Sequence, residues 1–166
     1  MGTLDPVNPA PRSKTLATWL AIAGGALGLH RFYLRGWRDS AGWAHVPFTL
    51  VGLAGVVRMR NLGQDDVASW LLIPALGLSL SAAFLAAIVI GLTRDGLWAT
   101  RYGARRGEPE PEAEALKPEE RTGWAPVLGV IVALLIGGTV LMGTIAFSGQ
   151  KYFEWVRLGQ EAAARR

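Results

Sequence analysis

Leu27-Gly28-Leu29-His30-Arg31-Phe32-Tyr33-Leu34-Arg35-Gly36-Trp37 runs from an apolar stretch into a cation pair, two aromatics and a glycine turn. An arginine at the end of a buried helix is costly unless it is paired, wetted or close to the surface, so the placement of Arg31 needs a reason. The apolar residues before it, Leu16 to Leu29, number 14 and hold no charge. A helix of that length reaches roughly 21 Å, against about 30 Å of hydrocarbon. Carrying the helix on through Leu34 gives 19 residues, long enough to span if Arg31 snorkels or pairs near the far interface.

Outward from this stretch the chain divides into apolar blocks and charged connections. Of its 166 residues 51% are hydrophobic and only 18% charged, too apolar for an ordinary soluble domain. The net charge of +4 is spread over 17 Lys and Arg at segment ends and forms no basic face, so no nucleic-acid partner is expected. Cysteine is absent, which removes disulfides, thiol nucleophiles and Cys-ligated metals from consideration. The abundance of Ala, Gly, Leu and Arg points to a bacterial chain.

The expected organisation is all-α: a polytopic membrane protein of four transmembrane helices, the first two forming an N-terminal helical hairpin. Residues 1–13, with Pro6, Pro9 and Pro11, read as a disordered tail. A secretory signal peptide is the competing reading for the first segment, opposed by its long, Pro-rich start and its Gly-broken apolar run. After a short turn from Gly36, Asp39 or Ser40 is placed to cap a second helix, Gly42 to Val57, closed by Arg58 and Arg60. Residues 58–92 comprise a polar connection and a third span, Trp70 to Leu92, with Asp65 and Asp66 near its start. Its small residues, among them Ala75, Ser79 and Ala83, suit close packing against another helix of this chain or of a second copy. Residues 93–123 form a Pro/Glu-rich charged loop, 124–147 a fourth span, and 148–166 an amphipathic tail suited to the headgroup level. Gly24 and Gly28 stand at GxxxG spacing as candidate packing residues.

No Walker loop, GxSxG elbow, HExxH or intramembrane carboxylate pair is present, so no catalytic residue, cofactor or enzyme activity is expected. His30 and His45 would offer two metal ligands across the hairpin, but without an acidic or thiol third no metal site is expected.

The residues Gly28-Leu29-His30-Arg31-Phe32-Tyr33-Leu34, preceded by Lys14 and Gly24-Gly25 and followed by Gly36, resemble the TM2 domain family over about Lys14 to Val57. In that family two membrane helices are joined by a short loop with a (D/H)RF-type motif. By position the motif residues are His30, Arg31 and Phe32, extended by Tyr33, Leu34 and Gly36. Arg35 intervenes where the family usually has glycine, and Pro47 sits in the second helix. The resemblance implies a membrane protein with its HRF loop in the cytoplasm.

Basic residues test that orientation. Arg12, Lys14, Arg58, Arg60, Lys151, Arg157, Arg165 and Arg166 would make eight on one side. Arg31, Arg35, Arg38, Arg94, Arg101, Arg105, Arg106, Lys117 and Arg121 would make nine on the other, all in short loops. The lean is toward loops inside and both termini outside. The functional expectation is a non-enzymatic interaction or scaffolding component of the bacterial inner membrane. Its His30-Arg31-Phe32 corner would meet a protein partner or anionic lipid headgroups, with the bilayer around the helices. The alternative is a small transporter or channel subunit, for which Ser79, Ser81, Thr139 and Thr144 are the candidate pathway residues.

Overall fold

The computed structural model describes residues 11–103, 108–112, 116–118 and 121–165. Most of the expected N-terminal tail and parts of the Pro/Glu-rich loop lie outside them. The described residues form α1 (Lys14–Gly24), a 3-10 turn (Gly25–Leu27), α2 (Leu29–Arg35), α3 (Ser40–Leu62), α4 (Val67–Leu92), α5 (Asp95–Arg101) and α6 (Trp124–Ala164). Three of these, α3, α4 and α6, are long and apolar enough to cross a membrane.

Local chemistry fixes where the helices start and stop. The Ser13 hydroxyl accepts the Leu16 N–H, the Asp39 carboxylate that of Gly42 and the Asp66 carboxylate that of Ser69, each satisfying an orphan donor of a first turn. Gly36 and Gly63, at φ +83° and +93°, end α2 and α3 with their N–H groups bonded to Phe32 and Met59 carbonyls. α3 runs through Pro47 and past Val57, reaching 23 residues and about 34 Å. The second segment is therefore not short.

The first segment departs most from expectation. The continuous helix from Leu16 to Leu34 does not form, and the expected four spans become three long helices and one folded-back pair. Gly25–Leu27 tightens into a 3-10 turn and Gly28 adopts φ +77°. A Cβ at Gly28 would lie 2.4 Å from the Gly42 carbonyl oxygen, so conformation and close approach both select glycine there. Beyond it α2 returns toward the start of α1, where the Tyr33 hydroxyl accepts the Ser13 N–H at 2.9 Å. The turn itself sits halfway along α4: Gly25 faces Ala83, and the Ala26 carbonyl accepts hydroxyl bonds from Thr49 (2.5 Å) and Ser79 (3.2 Å). Eleven residues of α1 reach only about 16 Å.

α6 also differs from expectation. No break separates a fourth span from a headgroup-level tail; one helix of 41 residues, about 61 Å, runs through both. The residues after Phe147 sustain it with contacts one turn apart, Ser148 to the Thr144 carbonyl, Lys151 to Glu154 and Arg157 to Glu161.

α4 is the hub. Gly52 and Gly55 of α3 lie against the backbone of Leu76 and of Leu72–Ile73, and Gly137 of α6 lies against Phe84, so the backbones approach closely where no hydrophobic drive operates in lipid. Ala17, Ala21, Phe84, Ala87, Ile90, Trp98 and Ala133 make the core. The outward faces are apolar, as at Leu71, Leu135 and Met142, which suits hydrocarbon. At one end of the bundle Lys14 Nζ donates to the Thr93 carbonyl and to Asp95 Oδ1, and Thr122 donates to the same carboxylate. Burial opposes the Asp95 charge, but the Thr122 and Lys14 hydrogen bonds outweigh it and hold the carboxyl below its usual range. Trp98 Nε1 donates to the Arg12 carbonyl at this end too. The entry of α1 therefore shares an end with the α4–α6 connection, whereas alternation of four spans would have put Lys14 opposite the Gly36 turn.

Candidate functional site

The corner from His30 to Trp43 is assembled by α2, the Gly36 turn and the first turns of α3. Gly36 is needed for its backbone alone, since a Cβ there would meet nothing within 4 Å. The turn brings Asp39 under Arg31: Nε donates to Oδ2 at 2.6 Å and Nη2 to Oδ1 at 3.3 Å, a two-point fork. Asp39 also caps α3 through the Gly42 N–H and lies 3.9 Å from Arg35. The Arg31 hydrogen bond is the chief cause of an Asp39 carboxyl held below its usual range. Sequence reading saw Asp39 only as a cap. One signal was available: it is the only acidic residue between Lys14 and Gln64, so a pairing demand from Arg31 had one local answer.

Phe32 is buried against Gly42, where a Cβ would come within 2.6 Å of its ring. It stacks on Trp37 at 4.9 Å between centroids and 17° between planes, and meets Trp43 at 5.3 Å. Trp43 Nε1 donates to the Trp37 carbonyl at 2.8 Å, closing the turn from outside. Tyr33 faces the other way, to Ser13 and under the Arg12 guanidinium at 5.1 Å. The motif thus divides: Arg31 and Phe32 build the corner, and Tyr33 fastens α2 to α1.

His30 is 3% exposed, and its Nδ1 has no hydrogen-bond partner among the described residues. Its ring lies 5.7 Å from that of His45 at 78°. Among the described residues no three His, Asp or Glu side chains converge as metal ligands. Gly24 and Gly28 do not share a helix face toward another span: Gly24 abuts Leu29 of the returning α2, and Gly28 abuts Gly42 of α3. Of the candidate pathway hydroxyls, Ser81, Thr139 and Thr144 each bond a carbonyl one turn back in their own helix. Ser79 instead reaches the Ala26 carbonyl of the 3-10 turn, with its hydroxyl oxygen 2.9 Å from that of Thr49.

A second corner repeats the device. Arg58 forks onto Asp66 at 3.0 and 2.8 Å across the Gly63 turn, and Asp66 caps α4. Both corners read Arg-x4-Gly-x2-Asp, a repeat present in the sequence and overlooked because its two copies sit in connections of different apparent type.

Comparison with curated proteins and with solved structures yields no match to this chain. The helices, the HRF corner and the turn that carries it lie in the stretch matched by a family model: residues 10–60 match the TM2 domain.

Proposed function

We propose that the protein is a non-enzymatic interaction component of the bacterial inner membrane, with its corner presented to an acidic segment of a protein partner. The observation that carries this reading is the Arg31–Asp39 fork. It fixes the corner's shape before any partner arrives, and leaves Trp37 (68% exposed), Arg35 (57% exposed) and the exposed Arg38 on the outside. Arg31, already paired, is a framework residue, and the recognising cations are Arg35 and Arg38. A preset surface lowers the ordering cost of docking, which favours a shaped protein partner over fluid headgroups.

The fold supports a membrane placement for this reading. α3, α4 and α6 cross, and α1 with α2 enters to mid-depth and returns, its turn buried among α3 and α4 as irregular backbone at that depth requires. Among the described residues Arg12, Lys14, Arg31, Arg35, Arg38, Arg94, Arg101, Lys117 and Arg121 then share one side. Arg58, Arg60, Lys151, Arg157 and Arg165 lie on the other. Nine against five supports a corner and a start of α1 in the cytoplasm, with the end of α6 outside. The chain lacks cysteine, so single reporters Ser13→Cys, Arg38→Cys, Gln64→Cys and Arg165→Cys read the sides directly. The first two are expected to react from the cytoplasm only and the last two from outside only; Ser13 and Arg38 on opposite sides would end this reading.

For the partner, the full chain carrying Arg35→Glu, Arg38→Glu and Trp37→Ala is expected to insert normally and to lose the proteins that cross-link to the wild type in native membranes. Unchanged cross-linking with lost binding to anionic vesicles would transfer the corner to lipid headgroups. The alternative of a small transporter or channel subunit has the Ala26–Thr49–Ser79 cluster in its favour, since broken helices whose ends meet polar groups at mid-depth form ion sites in transporters. Ion flux in reconstituted vesicles that disappears with Thr49→Val would support it.

A further inference from the structure

At the end of the bundle opposite the corner, α4 begins while α6 passes it, and the two helices enclose a cleft of about 520 Å3. α4 contributes Trp70, Leu71 and Pro74, and α6 contributes Lys151, Tyr152 and Trp155. Both sets follow the spacing of one helical face. The cleft is apolar toward mid-membrane and polar at its mouth. Leu71 is 79% exposed toward the hydrocarbon, whereas the Trp70 indole N–H reaches out to the Gln64 carbonyl at 2.7 Å.

Lys151 is a cation in an unusual position. Its side chain is 11% exposed, with Nζ 4.6 Å above the Trp70 ring and 2.7 Å from Glu154 Oε2. An ammonium has three N–H groups, and Glu154 takes one. The other Glu154 oxygen accepts from Gln150 at 3.1 Å, so that carboxylate is already shared. Tyr152 and Trp155 line the same cleft, and the Tyr152 hydroxyl and Trp155 Nε1–H have no hydrogen-bond partner among the described residues. Three side chains that carry donors thus line this cleft beside Leu71 and Pro74.

We propose that this cleft holds one glycerophospholipid. Its phosphodiester accepts from Lys151, Tyr152 and Trp155, and an acyl chain lies along Leu71 and Pro74. The donors complement an anionic oxygen cluster, the aromatic rings suit the interface, and the wall below suits a chain. The ligand is a membrane lipid because a free anion would leave Leu71 and Pro74 uncovered. The site is independent of the corner, on the other side of the membrane, and rests only on reading α4 and α6 as spans; the cysteine reporters test that reading separately, and lipid retention can fail with the spans intact.

The test uses the full chain released from phosphatidylglycerol nanodiscs and weighed by native mass spectrometry. One retained lipid is expected, with retention falling about fivefold in each of Tyr152→Phe, which keeps the ring, and Trp155→Phe, which keeps an aromatic side chain; both lose the donor. Excess inorganic phosphate is expected to leave the adduct in place. A lipid bearing a photoreactive group on its acyl chain, applied to the wild-type protein, is expected to label Leu71, Pro74 or the facing turn of α6. Undiminished retention in both variants, displacement by phosphate, or labelling confined to other faces overturns the proposal.

Discussion

The Gly36 and Gly63 turns use one staple, an arginine forked onto an aspartate eight residues later that also caps the next helix, yet they sit in different surroundings. At Gly63 the staple stands nearly alone: Arg58 is 45% exposed, and the turn joins two long antiparallel helices that α3–α4 packing already holds together. At Gly36 it closes a seven-residue helix that has just returned from the interior. Arg31 there is more enclosed, at 27%, and the Phe32–Trp37–Trp43 cluster backs it. The staple is therefore a turn-forming device that either connection can use. What sets the first corner apart is the short helix beneath it, too brief to be stable by itself, and the cations and tryptophans left outside.

The largest effect should come from removing that support. Gly28→Ala places a Cβ 2.4 Å from the Gly42 carbonyl oxygen at φ +77°. Strain and displaced packing together are expected to cost about 3 kcal/mol, read as a lowered midpoint of thermal unfolding in detergent. Gly63→Ala, at φ +93° with open space around it, carries only backbone strain and should cost less, about 2 kcal/mol. Equal losses would show that the folded-back pair does not depend on its tight turn.

Next in size is the staple itself. Asp39→Ala removes the Gly42 cap and leaves a partly enclosed Arg31 unpaired, which should cost about 2 kcal/mol. Asp66→Ala also removes a cap, but Arg58 turns to water, so its loss should be the smaller of the two in the same unfolding assay. The reverse order would place the more important anchor at Gly63.

How much of this was legible beforehand follows the range of the interactions. The apolar runs, the caps at Asp39 and Asp66 and the connections are local properties of the sequence, and α4 begins and ends within a few residues of expectation. The length arithmetic that left Leu16–Leu29 too short was sound. Its resolution was not to lengthen the helix but to turn it back, and that depends on Gly42, Thr49, Ser79 and Ala83, contacts made far along the chain. Gly24 and Gly28 looked like a packing stripe because spacing alone cannot distinguish a helical glycine from one at positive φ. The continuity of α6 past Phe147 was hidden for the opposite reason, a change of composition without a helix breaker. At the corner, Arg31 was assigned to a ligand, whereas the structure pairs it with Asp39 eight positions away.

Acid should distinguish the corners as well. The Arg58 and Ser69 hydrogen bonds pull the Asp66 carboxyl down to about 2, and Arg31 lowers that of Asp39. A carboxyl depressed in the folded state contributes stability that is complete above its unfolded value, about 3.9, and is lost as pH falls through the folded value. The share of stability that these two carboxylates supply, read from the unfolding midpoint, is expected to be complete above about pH 5 and to fall away below about pH 4. Asp66→Asn should flatten part of that fall toward pH 2; an acid limb identical to the wild type would mean that this pair does not hold its proton equilibrium away from the unfolded one.

The smallest expected effect on stability separates framework from recognition. Arg35 is over half exposed and lies 3.9 Å from an aspartate whose oxygens are already taken by Arg31 and Gly42, so Arg35→Ala should change stability by less than about 0.5 kcal/mol. If the outside of the corner is what a partner reads, the same change should reduce cross-linking to that partner several-fold, whereas Arg31→Lys should lower stability first and cross-linking only in proportion. A lysine keeps the charge but cannot reproduce the two-point fork on Asp39, so the two substitutions divide charge from shape at neighbouring turns of one helix. Cross-linking that follows stability in both variants would reduce the first corner to what the second one is, a staple between helices.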